Sequence, residues 1–338
     1  MKIQISVKNL KNYKIYLQVE KAAHEFLQKK GYLKIDLPVL SPALIPESYL
    51  EIFETEFRYF NKRQKIYLTP SPELFLKRLL AYGAGNCYYL GKSFRNSEPS
   101  SNLHLPEFTM LEYYKTNAKY MDIVCELLEM LQFVAVETSR RDVSTKNYEI
   151  IYQGKKISLE KWEKMTVTEA FSKFAGIERK ELFNHKKFIQ KAKIKGYQIE
   201  NSSYVDLFSQ IYAQEIEPNL GVSGAPTIIY DYPKEMAALA KLNPDGLTAQ
   251  RFEFYIAGIE LGDGYTELTD WKEQKRRFLK EEKERKKTKR INHKIDWQFI
   301  EVLKKGLPEC AGIAIGFDRL AMIFADCQDI KNLRLINI

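Results

Sequence analysis

Apolar residues recur at helical spacing close to the N-terminus. In 12–30, NYKIYLQVEKAAHEFLQKK, positions Ile15, Val19, Ala22, Ala23, Phe26 and Leu27 share one side of a 3.6-residue repeat, and Gly31 follows as a stop signal, so a first helix is predicted there. YLKIDLPVL then alternates like a strand, which Pro38 pushes to an edge or an end. SPELFLKRLLAYG returns to helical spacing, with Ser71 as candidate N-cap, Pro72 at the first helical position and Glu73 in the first turn. NCYYLGKSFRN and LPEFTMLEYYK read as two strands joined by a polar loop around Ser97–Leu105, and 119–136 as an amphipathic helix. From about 137 to 222 the chain is polar, lysine-rich and locally helical, the composition of an insertion or flanking lobe. PTIIYDYP, RFEFYIAGIEL and AGIAIGFDRLAMIF resume strand-like, core-forming composition. The mixture of segregated strands and helices predicts an α+β fold.

Composition narrows the class. With 338 residues and 45% apolar content the chain can bury a large core, as one large domain or a domain with an insertion. No window has signal-peptide character or the roughly 20 apolar residues of a membrane helix, so a soluble, cytoplasmic protein is expected. Cys87, Cys125, Cys310 and Cys327 are scattered and make no metal or disulfide pattern. The formal charge of +9 is uneven: Lys272 to Arg290 holds eleven Lys/Arg and four Glu, hence +7 in one segment that predicts an exposed helix. Such a run is either a solvated face or a docking surface for RNA or an acidic protein.

Three stretches carry chemistry. In FRN…HLPEFTMLEYY, Arg95 opens a loop that returns through a strand whose alternate residues Phe108, Met110, Glu112 and Tyr114 share a face: an aromatic plate, an acid and a phenol together. In RFEFYIAGIELGDGYTEL, Glu253 and Glu260 are seven apart and would face opposite ways on a regular strand; a bulge at Gly258 would bring both to one side. Two such carboxylates suit magnesium shared with nucleotide phosphates. In GIAIGFDRLAMIF, small residues precede Arg319, a candidate phosphate grip. Taken singly, each has a plainer reading as surface ion pair, core aromatic or turn acid, and GIAIG lacks dinucleotide-fingerprint spacing. The acids of IAGIELGDGYTELTD, Glu260, Asp263, Glu267 and Asp270, have no Lys or Arg beside them in the sequence.

In this order the stretches resemble the class II aminoacyl-tRNA synthetases: GYLKIDLPVL is similar to their first motif, FRNSEPSSNLHLPEFTMLEYY to the second and GIAIGFDRLAMIF to the third. TPSPELFLKRLL, PEFTMLEYY and GIELGDGYTELTD resemble the lysyl subgroup. Within it the chain is most similar to the paralogues that join (R)-β-lysine to a lysine of elongation factor P. Two features favour that group: only about thirty residues precede the first motif, too few for an anticodon-binding OB domain, and Ala314 stands where synthetases have glycine. One catalytic domain over 1–338 is thus expected, with the insertion at 137–222 and dimerisation through the first motif. The resemblance implies ATP and Mg2+ as cofactors and lysine or β-lysine as substrate. Arg95 and Arg319 would hold the ATP phosphates and act in catalysis, beside Asn96, Glu98 and His104. Phe108 would stack on adenine. Glu253 and Glu260 would bind ATP through the metal, with Leu261 and Gly316 lining the nucleotide. Ser71, Pro72, Glu73, Glu112, Tyr114, Tyr265, Glu267 and Ala314 would surround the amino acid, acids facing its ammonium groups. Here the second motif has an extra residue, so Glu98 takes the family glutamate's role, and Leu105 replaces an asparagine, removing an ATP contact. Asp263 replaces another asparagine near the substrate carboxylate, where an acid is repulsive unless it is protonated, metal-bound or turned away. A truncated enzyme charging tRNA, with the basic run on acceptor-stem phosphates, and a non-catalytic paralogue are the alternatives.

Overall fold

The computed structural model describes residues 2–96, 101–138, 148–200 and 202–337. Along the chain the elements that build the site are α1 (Leu10–Lys29), β1 (Leu33–Lys34), α2 (Glu73–Ala81), β2 (Cys87–Phe94), β3 (Glu107–Thr116), α3 (Tyr120–Thr138) and β4 (Glu163–Thr166), then β5 (Thr227–Pro233), β6 (Thr248–Ile256), β7 (Ile259–Thr266), α4 (Trp271–Arg285), α5 (Trp297–Lys305), β8 (Cys310–Gly316) and α6 (Phe317–Phe324). The eight strands form one sheet in the order β4-β5-β6-β7-β8-β3-β2-β1. Its inner six strands are antiparallel, and the short edges β4 and β1 pair in parallel. The α+β expectation holds.

Strand alternation separates the sheet into two unlike faces. Leu111 and Tyr113 of β3, Phe252 and Phe254 of β6, and Ile313 and Ile315 of β8 point into the main core, which α1, α3 and α6 cover. The opposite face carries the polar residues and is the floor of the site. Gly262 and Gly264 lie on the core face of β7: an added Cβ would stand 3.0 and 2.8 Å from the rings of Phe254 and Phe252. The GDG stretch is therefore mid-strand, its glycines making room for aromatic rings rather than forming a turn.

Two predicted elements differ. YLKIDLPVL yields only β1 and the two-residue strand Leu40–Ser41, because Pro38 has no N–H for a ladder and Leu33 and Leu40 stay exposed. The 137–222 segment has the expected local helices but also strands: a hairpin, Glu149–Tyr152 against Lys155–Ser158, and β4, which extends the main sheet. Ile150, Tyr152 and Ile157 bury into the main core from among the lysines. The helices gather a second core, including Phe171, Phe188, Leu207, Phe208 and Ile211, which packs on Ile229 and Tyr255 of the sheet.

Candidate active site

The site is a trough over β8, between β7 and β3. On this face β8 presents Cys310, Gly312, Ala314 and Gly316. Register sets Tyr265 of β7 and Tyr114 of β3 across Gly312, Asp263 and Glu112 across Ala314, and Met110 across Gly316. The glycines are required by their neighbours: a Cβ on Gly312 would lie 2.4 Å from the Tyr114 ring, and one on Gly316 2.9 Å from Arg319 Nε. A run of small side chains thus lets a phenol and a guanidinium lean over the floor.

Glu253 and Glu260 share this face, by a different device from the expected bulge at Gly258. Ala257 and Gly258, both at positive φ (54° and 78°), form a tight turn between β6 and β7, so Tyr255 pairs with Glu260. The irregularity falls at Leu261, the extra residue between the Tyr255/Glu260 and Phe254/Gly262 pairs. It brings the odd-numbered Asp263 and Tyr265 onto the face that Glu260 already occupies. Leu261 itself is fully buried in the core, so its backbone alone is available to a nucleotide.

One end of the trough is a cleft bounded by Arg95, His104, Phe108, Gly316 and Arg319, which brings together half of the residues expected at ATP. The Arg95 guanidinium lies 5.3 Å from the Phe108 ring centroid, and Arg319 Nη1 lies 3.9 Å from Glu260. His104 Nδ1 is 3.0 Å from Ser101 Oγ. Asn96 is turned elsewhere, donating to the Ile52 carbonyl at 3.1 Å, because its side chain ties the loop end to a neighbouring segment. Leu105 sinks into the core under the cleft. Glu98 lies outside the described residues.

The other end is acidic. The N-cap of α2 falls on Pro72 and not on Ser71 as expected; Ser71 Oγ, one residue earlier, accepts from Glu73 N at 3.1 Å and donates to Glu112 at 2.8 Å. Tyr114 Oη donates to the other Glu112 oxygen at 2.7 Å. Tyr265 Oη donates to Glu73. Pro72 is buried and helical in φ and ψ. Glu267, 1% exposed, accepts no hydrogen bond by strict geometry, although Lys77 Nζ lies 2.5 Å from its Oε2. Burial, then the negative charge of Glu73, pushes the Glu112 carboxyl up to about 8. Burial raises Glu267 likewise, outweighing Lys77, while the acids around Lys77 keep that ammonium charged.

The acids without local counter-charges find them from elsewhere in the chain. Arg251, on β6, lies 3.0 Å from Glu253 and 3.5 Å from Asp263. Asp263 is thus balanced by a guanidinium rather than left to repel a substrate carboxylate. Asp270 caps α4 through the amides of Lys272 and Glu273. Glu267 faces Lys77, so it is not a bare acid awaiting substrate. Sequence reasoning missed Lys77 and Arg251; the i, i+4 spacing of Glu73 and Lys77 was the available signal for the first. Glu253 also takes the Tyr255 hydroxyl at 2.8 Å, and burial pushes its carboxyl up to about 7.

The trough thus has a cleft with two arginines at one end and buried carboxylates at the other, and the sequence that builds it matches a known family over nearly the whole chain. Residues 3–336 match tRNA synthetases class II (D, K and N), and the chain belongs to that family. It is a class II synthetase-family ligase, and the family implies use of ATP. The elongation factor P–(R)-beta-lysine ligase of Haemophilus influenzae (strain PittGG) is 33% identical, over 97% of this chain and 94% of the relative. That of Vibrio cholerae is 35% identical over 88% and 86%. The lysine–tRNA ligase of Carboxydothermus hydrogenoformans is 33% identical over 94% of this chain, which spans 63% of that relative.

Proposed function

We propose that the protein activates lysine or (R)-β-lysine with ATP as an aminoacyl-adenylate and transfers the aminoacyl group to a lysine side chain of elongation factor P. The observation that carries the amino-acid assignment is the set of three carboxylates, Glu73, Glu112 and Glu267, gathered at one end of the trough around a single resident ammonium, Lys77. Buried carboxylates in such numbers demand cationic partners, and an amino acid with two ammonium groups supplies them. The similarity to elongation factor P ligases along most of both chains supports the acceptor.

In this reading the substrate carboxylate attacks the α-phosphorus of ATP and pyrophosphate leaves. Arg95 and Arg319 hold phosphate charge, and Phe108 stacks on adenine. The acidic end holds the ammonium groups and fixes the carboxylate's approach, so the protein contributes positioning and electrostatics. The acceptor's ε-amine then attacks the adenylate carbonyl and AMP leaves. Glu253 and Glu260 are the oxygen donors that fit Mg2+: their charges repel, part of what raises Glu253, and each carboxylate retains lone pairs beyond its protein bonds. When bound, the metal would neutralise phosphate charge.

ATP–pyrophosphate exchange with a panel of α- and β-amino acids tests the activation step; no exchange with any of them would overturn it. Transfer to elongation factor P against transfer to tRNA tests the acceptor. The basic α4 favours tRNA charging as a second reading, whose affinity would fall steeply with salt. A homodimer is part of the proposal, supported by the exposed apolar side chains of Phe57, Tyr59 and Phe60 on the hairpin after the first motif. No described helix is long and apolar enough to cross a membrane, and a cytoplasmic location is proposed on the substrates.

A further inference from the structure

We infer that Lys77 is a resident counter-charge of the amino-acid pocket, holding Glu73 and Glu267 together and setting the pocket's charge to match a substrate with two ammonium groups. This rests on the amino-acid reading above. Lys77 projects from α2 into the acidic end, and its side chain is 3% exposed. Its ammonium contacts Glu73 on the same helix and Glu267 at the end of β7, two acids from different elements sharing one cation. The rings of Tyr265 and Tyr114 stand 5.2 and 5.9 Å from it, close enough for cation–π attraction. Glu112 on β3 and the Cys310 thiol on β8 complete the titratable groups around it.

Here Glu73, Glu112 and Glu267 carry three negative charges against one lysine, leaving two when all are ionised. A diamino acid brings two ammonium groups, while its carboxylate points to the arginines of the nucleotide cleft. With the lysine gone, Glu73 and Glu267 would repel directly, and the pair would hold its proton to a higher pH than it does beside the ammonium. That pocket would present fewer usable negative charges in less defined positions. Lys77 is therefore a positioning and specificity residue that does not touch the reacting atoms.

The test is ATP–pyrophosphate exchange by Lys77→Met, Lys77→Arg and the unmodified protein, with lysine, β-lysine and norleucine, between pH 6.5 and 9. Lys77→Met should raise the diamino-acid KM at least tenfold with the ATP KM within twofold. It should move the pH at which that KM falls upward by one unit or more, and cut discrimination against norleucine at least tenfold. Lys77→Arg, keeping the charge, should restore most of the affinity. Lys77→Gln gives the same reading if the Met variant does not fold, with melting temperature as the check. An unchanged KM and pH profile in the folded neutral variant would overturn the inference. Absence of exchange in the unmodified protein would instead remove the amino-acid reading beneath it.

Discussion

Gly312→Ala adds one methyl group to the floor of the trough and should separate amino-acid recognition from nucleotide binding. The new Cβ would stand 2.4 Å from Cε1 of Tyr114, so the ring has to retreat by about 1 Å to regain ordinary contact. Tyr114 Oη now donates to Glu112 at 2.7 Å, and a shift of that size carries it past hydrogen-bonding range. Above pH 8, where Glu112 is ionised, a hydrogen bond to that charged group contributes about 1.5–3 kcal/mol, which at 1.4 kcal/mol per tenfold raises the amino-acid KM roughly 10- to 100-fold. Overpacking lowers stability by about 1–3 kcal/mol. Exchange kinetics should show the loss in the amino-acid KM with the ATP KM near its original value, because Gly316 lies at the far end of β8 and Arg319 in α6 beyond it. Urea unfolding measures the stability term. An amino-acid KM within twofold of the unmodified protein would refute the idea that Tyr114 positions Glu112 for substrate.

Glu260→Gln should abolish pyrophosphate exchange at every Mg2+ concentration; retained exchange removes the metal assignment. Arg285→Met should cost about 3–5 kcal/mol in denaturant unfolding, since the buried guanidinium donates to the carbonyls of Glu47, Leu50 and Ile291, and each orphaned buried acceptor costs about 1–3 kcal/mol. Glu112 and Glu267 retain protons in the folded state up to about 8, against an ordinary 4.5 when unfolded. Between those values the folded state binds more protons, so their contribution to stability falls as pH rises through the window. Ligand-free melting temperature should accordingly be lower at pH 8.5 than at pH 6, while the stabilisation given by saturating lysine should be larger at pH 8.5.

The helices and the long strands of this fold were legible because their apolar spacing is strong: α1, α2, α3 and the β2–β3 pair fall where periodicity predicts. The hairpin of β6 and β7 was not, since AGIELGDG offers several glycines and only the pairing tells that Ala257 and Gly258 turn while Gly262 and Gly264 lie flat against phenylalanines. The lysine-rich segment concealed its strands because the exposed Ile151 breaks the apolar alternation and the turn residues Gln153 and Gly154 with Lys155 and Lys156 separate Tyr152 from Ile157. At the site, Arg95, Phe108, Glu112 and Arg319, singled out by residue type and order along the chain, gather along the same trough. Counter-charges were invisible in one dimension: Lys77 and Arg251 meet Glu267 and Asp263 only after distant strands pair.

The extra residue at Leu261 makes the hairpin a phase boundary. Ahead of it, even-numbered residues of β7 look into the trough; beyond it, odd-numbered ones do. Insertions or deletions of two residues near the tip would preserve which acids face inward. A single inserted residue after the bulge would turn Asp263 and Tyr265 into the hydrophobic layer and Gly262 and Gly264 outward. Length variation in this loop is therefore quantised, and a protein engineer shortening or extending it must work in steps of two.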